Sequence, residues 1–166
     1  QLKCHNIERY YLEVWQSNHN AVSIYSKKGF SVQREYSVLT ASGPGHGWNN
    51  HIAVIPYQDF TSFSTRFSVE PSFEHTSYTI NQNPQLFEVL YLNDQAYCIY
   101  AKRHGEIIQM HYNELDALKD VVSALINRYP SAMAKNIDCA YSDVVQMLID
   151  IGFVEITKQY EMARIV

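Results

Sequence analysis

The sequence predicts an α+β domain, and three observations carry that reading. Short alternating runs between residues 86 and 112 form an antiparallel meander with turn residues between them. A long amphipathic helix follows from about Glu114 to Tyr129. A strand–helix–glycine–strand pattern occurs twice, closing on Gly29-Phe30 and again 123 residues later on Gly152-Phe153.

Residues 1–9 are polar and indistinct. Tyr10 to Trp15, YYLEVW, alternates in bulk and reads as a strand. Asn18 is a good N-cap because its side chain can accept from free N–H groups of a first turn. The helix it opens carries Ala21, Val22, Ile24 and Tyr25 on one side and Lys27 and Lys28 in its last turn, where cations suit the dipole. Gly29 suits the left-handed stop. Phe30 to Leu39 alternates again as a strand. Both strands expose backbone edges that must find a partner.

Thr40 to Asn50, TASGPGHGWNN, is the clearest boundary. Gly43, Gly45 and Gly47 lead into an extended run rather than a helix, so the segment reads as a linker and not a phosphate loop. Ala53 to Ile55 is a short strand. Gln58 to Phe67 is expected to be a helix with Phe60, Phe63 and Phe67 on one core-facing side. Residues 68–84 are expected to be irregular, broken by Pro71 and Pro84.

Leu86–Leu92 and Gln95–Ala101 form a hairpin across Asn93-Asp94, and Glu106–Tyr112 completes the meander. The next helix buries Leu115, Leu118, Val122, Leu125 and Ile126. Asn113 is its expected cap, Asp116 completes a box-like start, and Pro130 ends it. Strand 134–139, helix 142–151 and strand 153–164 finish the chain.

The pattern N-x-x-A-x-x-x-Y-x-x-x-G-F, read from Asn18 to Phe30 after a strand ending L-E-V, resembles the C-terminal half of a GNAT acyltransferase domain. SDVVQMLIDIGF (142–153), PSFEHTSYTI, HGEIIQM and KQYEMARI resemble the second domain of tandem proteins of that family. The resemblance implies a GNAT-like mixed sheet, with its meander flanked by helices, preceded by half of another such domain. Its expected division is 1–40 for that half, 41–51 for a linker and 52–166 for a degenerate second domain, with the rest of the first domain lying before Gln1. The implied activity is acetyl transfer from acetyl-CoA to a small-molecule or peptide amine. Asn18 is implied in cofactor binding, and Tyr25 both in cofactor binding and as the acid that protonates the departing thiolate. A purely structural reading makes Asn18 a cap and Tyr25 a core-edge aromatic. The chain is then a non-catalytic module for domain pairing, dimerisation or small-ligand binding.

The family holds the cofactor pyrophosphate on a glycine loop at a helix N-terminus. The corresponding stretch of the second copy, Met110 to Ala117, has no glycine and places Glu114 and Asp116 there, so that copy is expected to lack a cofactor site. Seven histidines without helical H-x-x-x-H spacing or a Cys/His cluster point away from a metal. Cys139 with Asp138 and His111 reads as packing rather than as a nucleophile set, and Glu161 as a solvated strand carboxylate. A net charge of −4 argues against nucleic-acid binding. No run approaches a membrane span, and no signal peptide is legible at Gln1. Cys4, Cys98 and Cys139 are expected as reduced thiols in a cytoplasmic protein. A hydrophobic content of 46% suffices for a core, and docking or homodimerisation through residues 10–40 is expected.

Overall fold

The computed structural model describes residues 8–43, 51–60 and 68–165. Eight strands form one sheet: β1 (Arg9–Trp15), β2 (Ser31–Ala41), β3 (Ala53–Pro56), β4 (Phe87–Leu92), β5 (Ala96–Ala101), β6 (Glu106–Tyr112), β7 (Met133–Asp138) and β8 (Phe153–Ile165). The helices are α1 (His19–Lys27), α2 (Ser77–Gln82), α3 (Leu115–Arg128) and α4 (Ser142–Asp150). The strand order is β1-β8-β2-β7-β6-β5-β4-β3. Every neighbouring pair is antiparallel except β6 and β7. The result is the expected α+β architecture, with the meander β4-β5-β6 in sequence order.

The two strand–helix–strand copies, β1-α1-β2 and β7-α4-β8, interlock. Strand β8 lies between β1 and β2, and β2 lies between β8 and β7. Each copy thus opens to admit the other copy's last strand. Tyr36 and Gln159, at equivalent positions of the two copies, face one another across β2 and β8. The register shifts on both sides of them, between Val32 and Arg34 and between Val38 and Leu39. These pairings place an approximate two-fold axis at Tyr36 and Gln159. Strand β1 is therefore paired with β8 along one edge, and β2 with β8 and β7, within one sheet.

Local chemistry explains both helix stops. Asn18 Oδ1 accepts from Ala21 N at 3.1 Å, the expected N-cap. At the other end Gly29 N donates to Ser26 O and Phe30 N to Tyr25 O, a Schellman closure. That closure needs the left-handed φ of +85° at Gly29. Gly152 takes φ +104° after α4 in the same position.

Helix α3 packs its buried stripe (Leu118, Val121, Val122, Leu125 and Ile126) with Val144, Met147 and Leu148 of α4 and with Cys98, Ile107 and Ile137 of the sheet. The equivalent helix α1 has no buried residue. Ile24, which corresponds to Met147, is 56% exposed, against 5% for Met147. One copy is covered by α3; the described residues leave the other copy's helix uncovered.

Four local expectations are corrected. No helix begins at Gln58: Tyr57–Asp59 is one turn of 3-10 helix and Phe60 is extended, while 61–67 fall outside the described residues. Residues 68–84 are not wholly irregular, because Thr76 Oγ1 accepts from Thr79 N and opens α2. Asn113 does not cap α3. Its side chain instead donates to Asp94 O at 2.6 Å, fastening the β4–β5 turn, and Glu114 stands at the N-cap without a side-chain bond. Strand β2 runs two residues into the expected linker, and 44–50 lie outside the described residues.

The asymmetry between α4 and α1 sets a measurable contrast. Met147→Ala should cost about 2–5 kcal/mol of stability, the range for truncating a buried Met or Leu. Ile24→Ala should stay within about 0.5 kcal/mol, as exposed substitutions do. Urea unfolding measures both, and similar losses would contradict the burial difference.

Candidate functional site

The parallel strands β6 and β7 are paired only at Glu106–Met133 and Ile107–Ala134. Beyond that point they form a fork, and the chain's own segment Ser68–His75 fills it. From the β6 side, Ser68 Oγ donates to Tyr112 O at 2.8 Å and accepts from Tyr112 N at 3.1 Å. Gln109 Nε2 donates to His75 O at 2.6 Å. From the β7 side, Asn136 Nδ2 reaches Ser72 Oγ at 3.2 Å, and Arg34 on β2 donates to Pro71 O. Val69, Ser72 and His75 are buried, and about 10 Å³ of free space remains between segment and strands. Burial pushes the His75 imidazole below its ordinary value and outweighs the nearby Glu106 carboxylate, 3.8 Å from Nε2.

Arg34 on β2 clasps Glu161 on β8 with two 2.9 Å bonds, and the Tyr36 hydroxyl donates to Glu161 Oε2 at 2.8 Å. Glu161 is 2% exposed. The expectation of a solvated carboxylate is therefore corrected: Glu161 is a buried acceptor with its partners in place, as a buried charge requires. Burial and the adjoining carboxylate raise the Tyr36 phenol far above its ordinary value, so it stays a hydrogen-bond donor.

Close to this network, between β1 and β7, lies a half-open cavity of about 560 Å³. Glu13 of β1 and Asn136 of β7 hold equivalent positions in the two copies and meet at its wall, with Asn136 Nδ2 donating to Glu13 Oε2 at 2.8 Å. Gln159 Nε2 binds both Glu13 Oε2 and Asn136 Oδ1 at 3.3 Å. Asn136 adopts the left-handed φ of +57°, a conformation asparagine tolerates better than most residues. Glu74, Lys135 and Trp15 complete the polar and aromatic lining. Glu13 Oε1 is shielded and has no hydrogen-bond partner. Burial first, and the Glu74 carboxylate second, raise the Glu13 carboxyl above its ordinary value, against the lowering by its Asn136 and Gln159 bonds.

Asn18 and Tyr25 do not line this cavity. Asn18 is engaged as the α1 cap. The Tyr25 ring packs edge-on against Phe30 with centroids 5.9 Å apart. Of the imagined Cys139 set, Cys139 Sγ lies 3.4 Å from Ser37 Oγ, and Asp138 Oδ1 accepts from Ala140 N in a local turn. His111 Nδ1 instead meets Ser68 Oγ at 3.0 Å. Cys98 and Cys139 are free thiols, and burial pushes Cys98 well up; Cys4 falls outside the described residues. Among the described residues no group of three potential ligands could hold a metal, and no helix is long and apolar enough to cross a membrane. Glu13 was missed in sequence. Its signal, an acid on the L-E-V strand, became meaningful only when the fold brought it to Asn136.

No family model matches the sequence, and no curated protein matches it. Solved structures do match in fold. A Pyrococcus horikoshii protein assigned as an acetyltransferase aligns with a TM-score of 0.73 at 6% identity, covering 99% of this chain and 56% of that one. A GCN5-related N-acetyltransferase from Sphaerobacter thermophilus aligns at 0.58 with 10% identity, over 95% of this chain and 60% of its own. A Novosphingobium aromaticivorans protein assigned to the GNAT acetyltransferases aligns at 0.56 with 13% identity, over 95% and 74%.

The raised Glu13 carboxyl gives a pH prediction. A raised folded-state value means the native state holds the proton more tightly. The resulting stability is complete below the ordinary carboxylate value of 4.5 and is lost as pH climbs through the folded value. Glu13→Gln, which mimics the neutral form, should remove that loss. Stability measured from below pH 4.5 upward should fall less in the variant than in the wild type; parallel curves would refute the assignment. The chain has the fold of the GNAT acetyltransferases.

Proposed function

We propose that this chain is part of an acetyl-CoA-dependent N-acetyltransferase that transfers an acetyl group to an amine, with the β7-α4-β8 copy non-catalytic. The observation that carries the division of labour is the filled fork. In the second copy, Ser68–His75 occupies the space between the diverging strands, and Glu114 and Asp116 stand at the start of α3. Carboxylates there oppose a bound pyrophosphate.

The first copy keeps the resemblance from Asn18 to Phe30. Among the described residues, its exposed α1 face and the open edge of β1 are the counterparts of surfaces that α3 and β6 cover in the second copy. We infer that an equivalent helix and parallel strand cover them in the complete protein. Within that completed copy, Tyr25 is the proposed proton donor to the departing thiolate, and Asn18 lies at the cofactor side while capping α1. The engaged Asn18 cap and the Tyr25–Phe30 packing equally suit a non-catalytic module, so the substitution of Tyr25 decides between the readings.

The 166-residue chain should bind acetyl-CoA weakly or not at all by calorimetry, and saturable micromolar binding would overturn the filled-fork reading. In the complete polypeptide, Tyr25→Phe should leave stability nearly unchanged and lower turnover by about 100-fold or more. Full turnover with Tyr25→Phe would leave the tyrosine as a packing residue and favour the non-catalytic module.

A further inference from the structure

We propose that the cavity between the start of β1, the start of β2 and the end of β8 binds a phosphate dianion, free or as a small monoester, held by Arg9, Arg164 and the Ser31 hydroxyl. The site lies at the opposite end of the strands from the fork, so it does not rest on the acetyl-transfer reading.

Register gives that position. The second copy's fork opens beyond Ile107–Ala134, towards Tyr112 and Asp138. Glu13 is the counterpart of Asn136, so the same direction in the first copy runs along β1 towards Trp15. Arg9 is the counterpart of Ala132 and lies on the closed side.

Charge is the second argument. A half-open cavity of about 290 Å³ is lined by Arg9, Gly29, Ser31, Gln33, Ala163 and Ile165, with no carboxylate among them. That space suits a tetrahedral oxyanion with a short stem and falls below the usual size of a site for larger ligands. Arg164 Cδ and Nε lie 3.8 Å from the place a side chain at Gly29 would occupy, so a second arginine lies across the glycine of the lining. Arg164 is exposed and makes no ion pair among the described residues. Lys28, also exposed, precedes the same glycine. Glu8, the carboxylate that acts on Arg9, is exposed and outside the lining. The carbonyls that end α1 would oppose an anion, but Ile24 O, Tyr25 O and Ser26 O already accept from the N–H groups of Lys28, Gly29 and Phe30.

The third argument is hydrogen bonding. Gln33 Nε2 donates to Ser31 Oγ at 2.9 Å and to Ser31 O at 3.2 Å, which fixes the hydroxyl oxygen. The Ser31 hydroxyl itself donates to Ala163 O across 3.5 Å, long for an O–H···O bond, so its proton can turn to a stronger acceptor. Two guanidinium groups and a hydroxyl match the charge and the several oxygens of a phosphate dianion, whereas a carboxylate is satisfied by one arginine.

Comparison of the two copies supplies the fourth. Arg9, Ser31 and Gln33 stand where the second copy has Ala132, Val154 and Ile156. Val154 and Ile156 are exposed there, so the fold does not itself demand polar side chains at these places. The polar set is a property of the first copy alone.

The test titrates the isotope-labelled 166-residue chain with sodium phosphate, methyl phosphate, sodium acetate and sodium chloride at matched ionic strength, following amide shifts by NMR. Saturable shifts centred on Ser31, Gln33 and Ala163 with phosphate or methyl phosphate, and none with acetate or chloride, are the expected result. Tighter binding of methyl phosphate would make the natural ligand a monoester, and tighter binding of inorganic phosphate would make it the free ion. Arg9→Gln should weaken binding by about 10-fold or more, the scale of one lost charge-assisted contact. If Arg9→Gln does not fold by circular dichroism, Arg164→Gln decides, and it should weaken binding in the same direction. Equal saturation by acetate or chloride, no saturable response, or undiminished binding in the folded variants would each overturn the proposal. So would phosphate shifts centred on Asn18 and Tyr25, which would place the anion at the other end of α1.

Discussion

The antiparallel pairing of β2 with β8 is the constraint on which the rest of the structure depends. Both strands have neighbours on both sides: Tyr36 to Thr40 of β2 pair with β7 as well as β8, and Gln159 to Ala163 of β8 pair with β1 as well as β2. Separating the copies would expose the edges of four strands at once, with unpaired donors and acceptors on each. The pairing also fixes register, because a slip by one residue would turn the inward set of each strand outward. Tyr36 opposite Gln159 is the point from which both copies are measured out.

That pairing creates the polar centre. Bringing β2 against β8 sets Arg34 and Tyr36 on Glu161, and curling β1 and β7 towards the same face sets Glu13 on Asn136. Equivalent positions have diverged into complementary chemistry, an acid in one copy and an amide in the other. The segment Ser68–His75 then closes the fork from the same side through Pro71 and Ser72. A polar network of this kind holds only when its members are satisfied together. Glu13 Oε1 is the exception, shielded and without a hydrogen-bond partner.

Much of this was legible residue by residue. Asn18 capped, Gly29 and Gly152 stopped helices, and alternating runs became strands, because each depends on a few neighbours in sequence. What stayed hidden depends on contacts distant in the chain. Glu161 resembled any strand carboxylate until Arg34, 127 residues away, was beside it. Asn113 has every property of a cap, yet its side chain serves the hairpin that folds next to it. The Ser68–His75 segment has no periodicity to read, since its role is to fit between two strands rather than to repeat. The repeat at 123 residues announced two copies, but nothing in either announced that their last strands would exchange neighbours.

Native-state hydrogen exchange of the 166-residue chain tests the interlock most directly. If β2 and β8 join the copies into one cooperative unit, the central amides of both strands should exchange only through global unfolding, with equal opening free energies. Amides of β2 opening well below the global value, while those of β7 and α3 remain protected, would show residues 9–41 to be a separable attachment and would contradict the account.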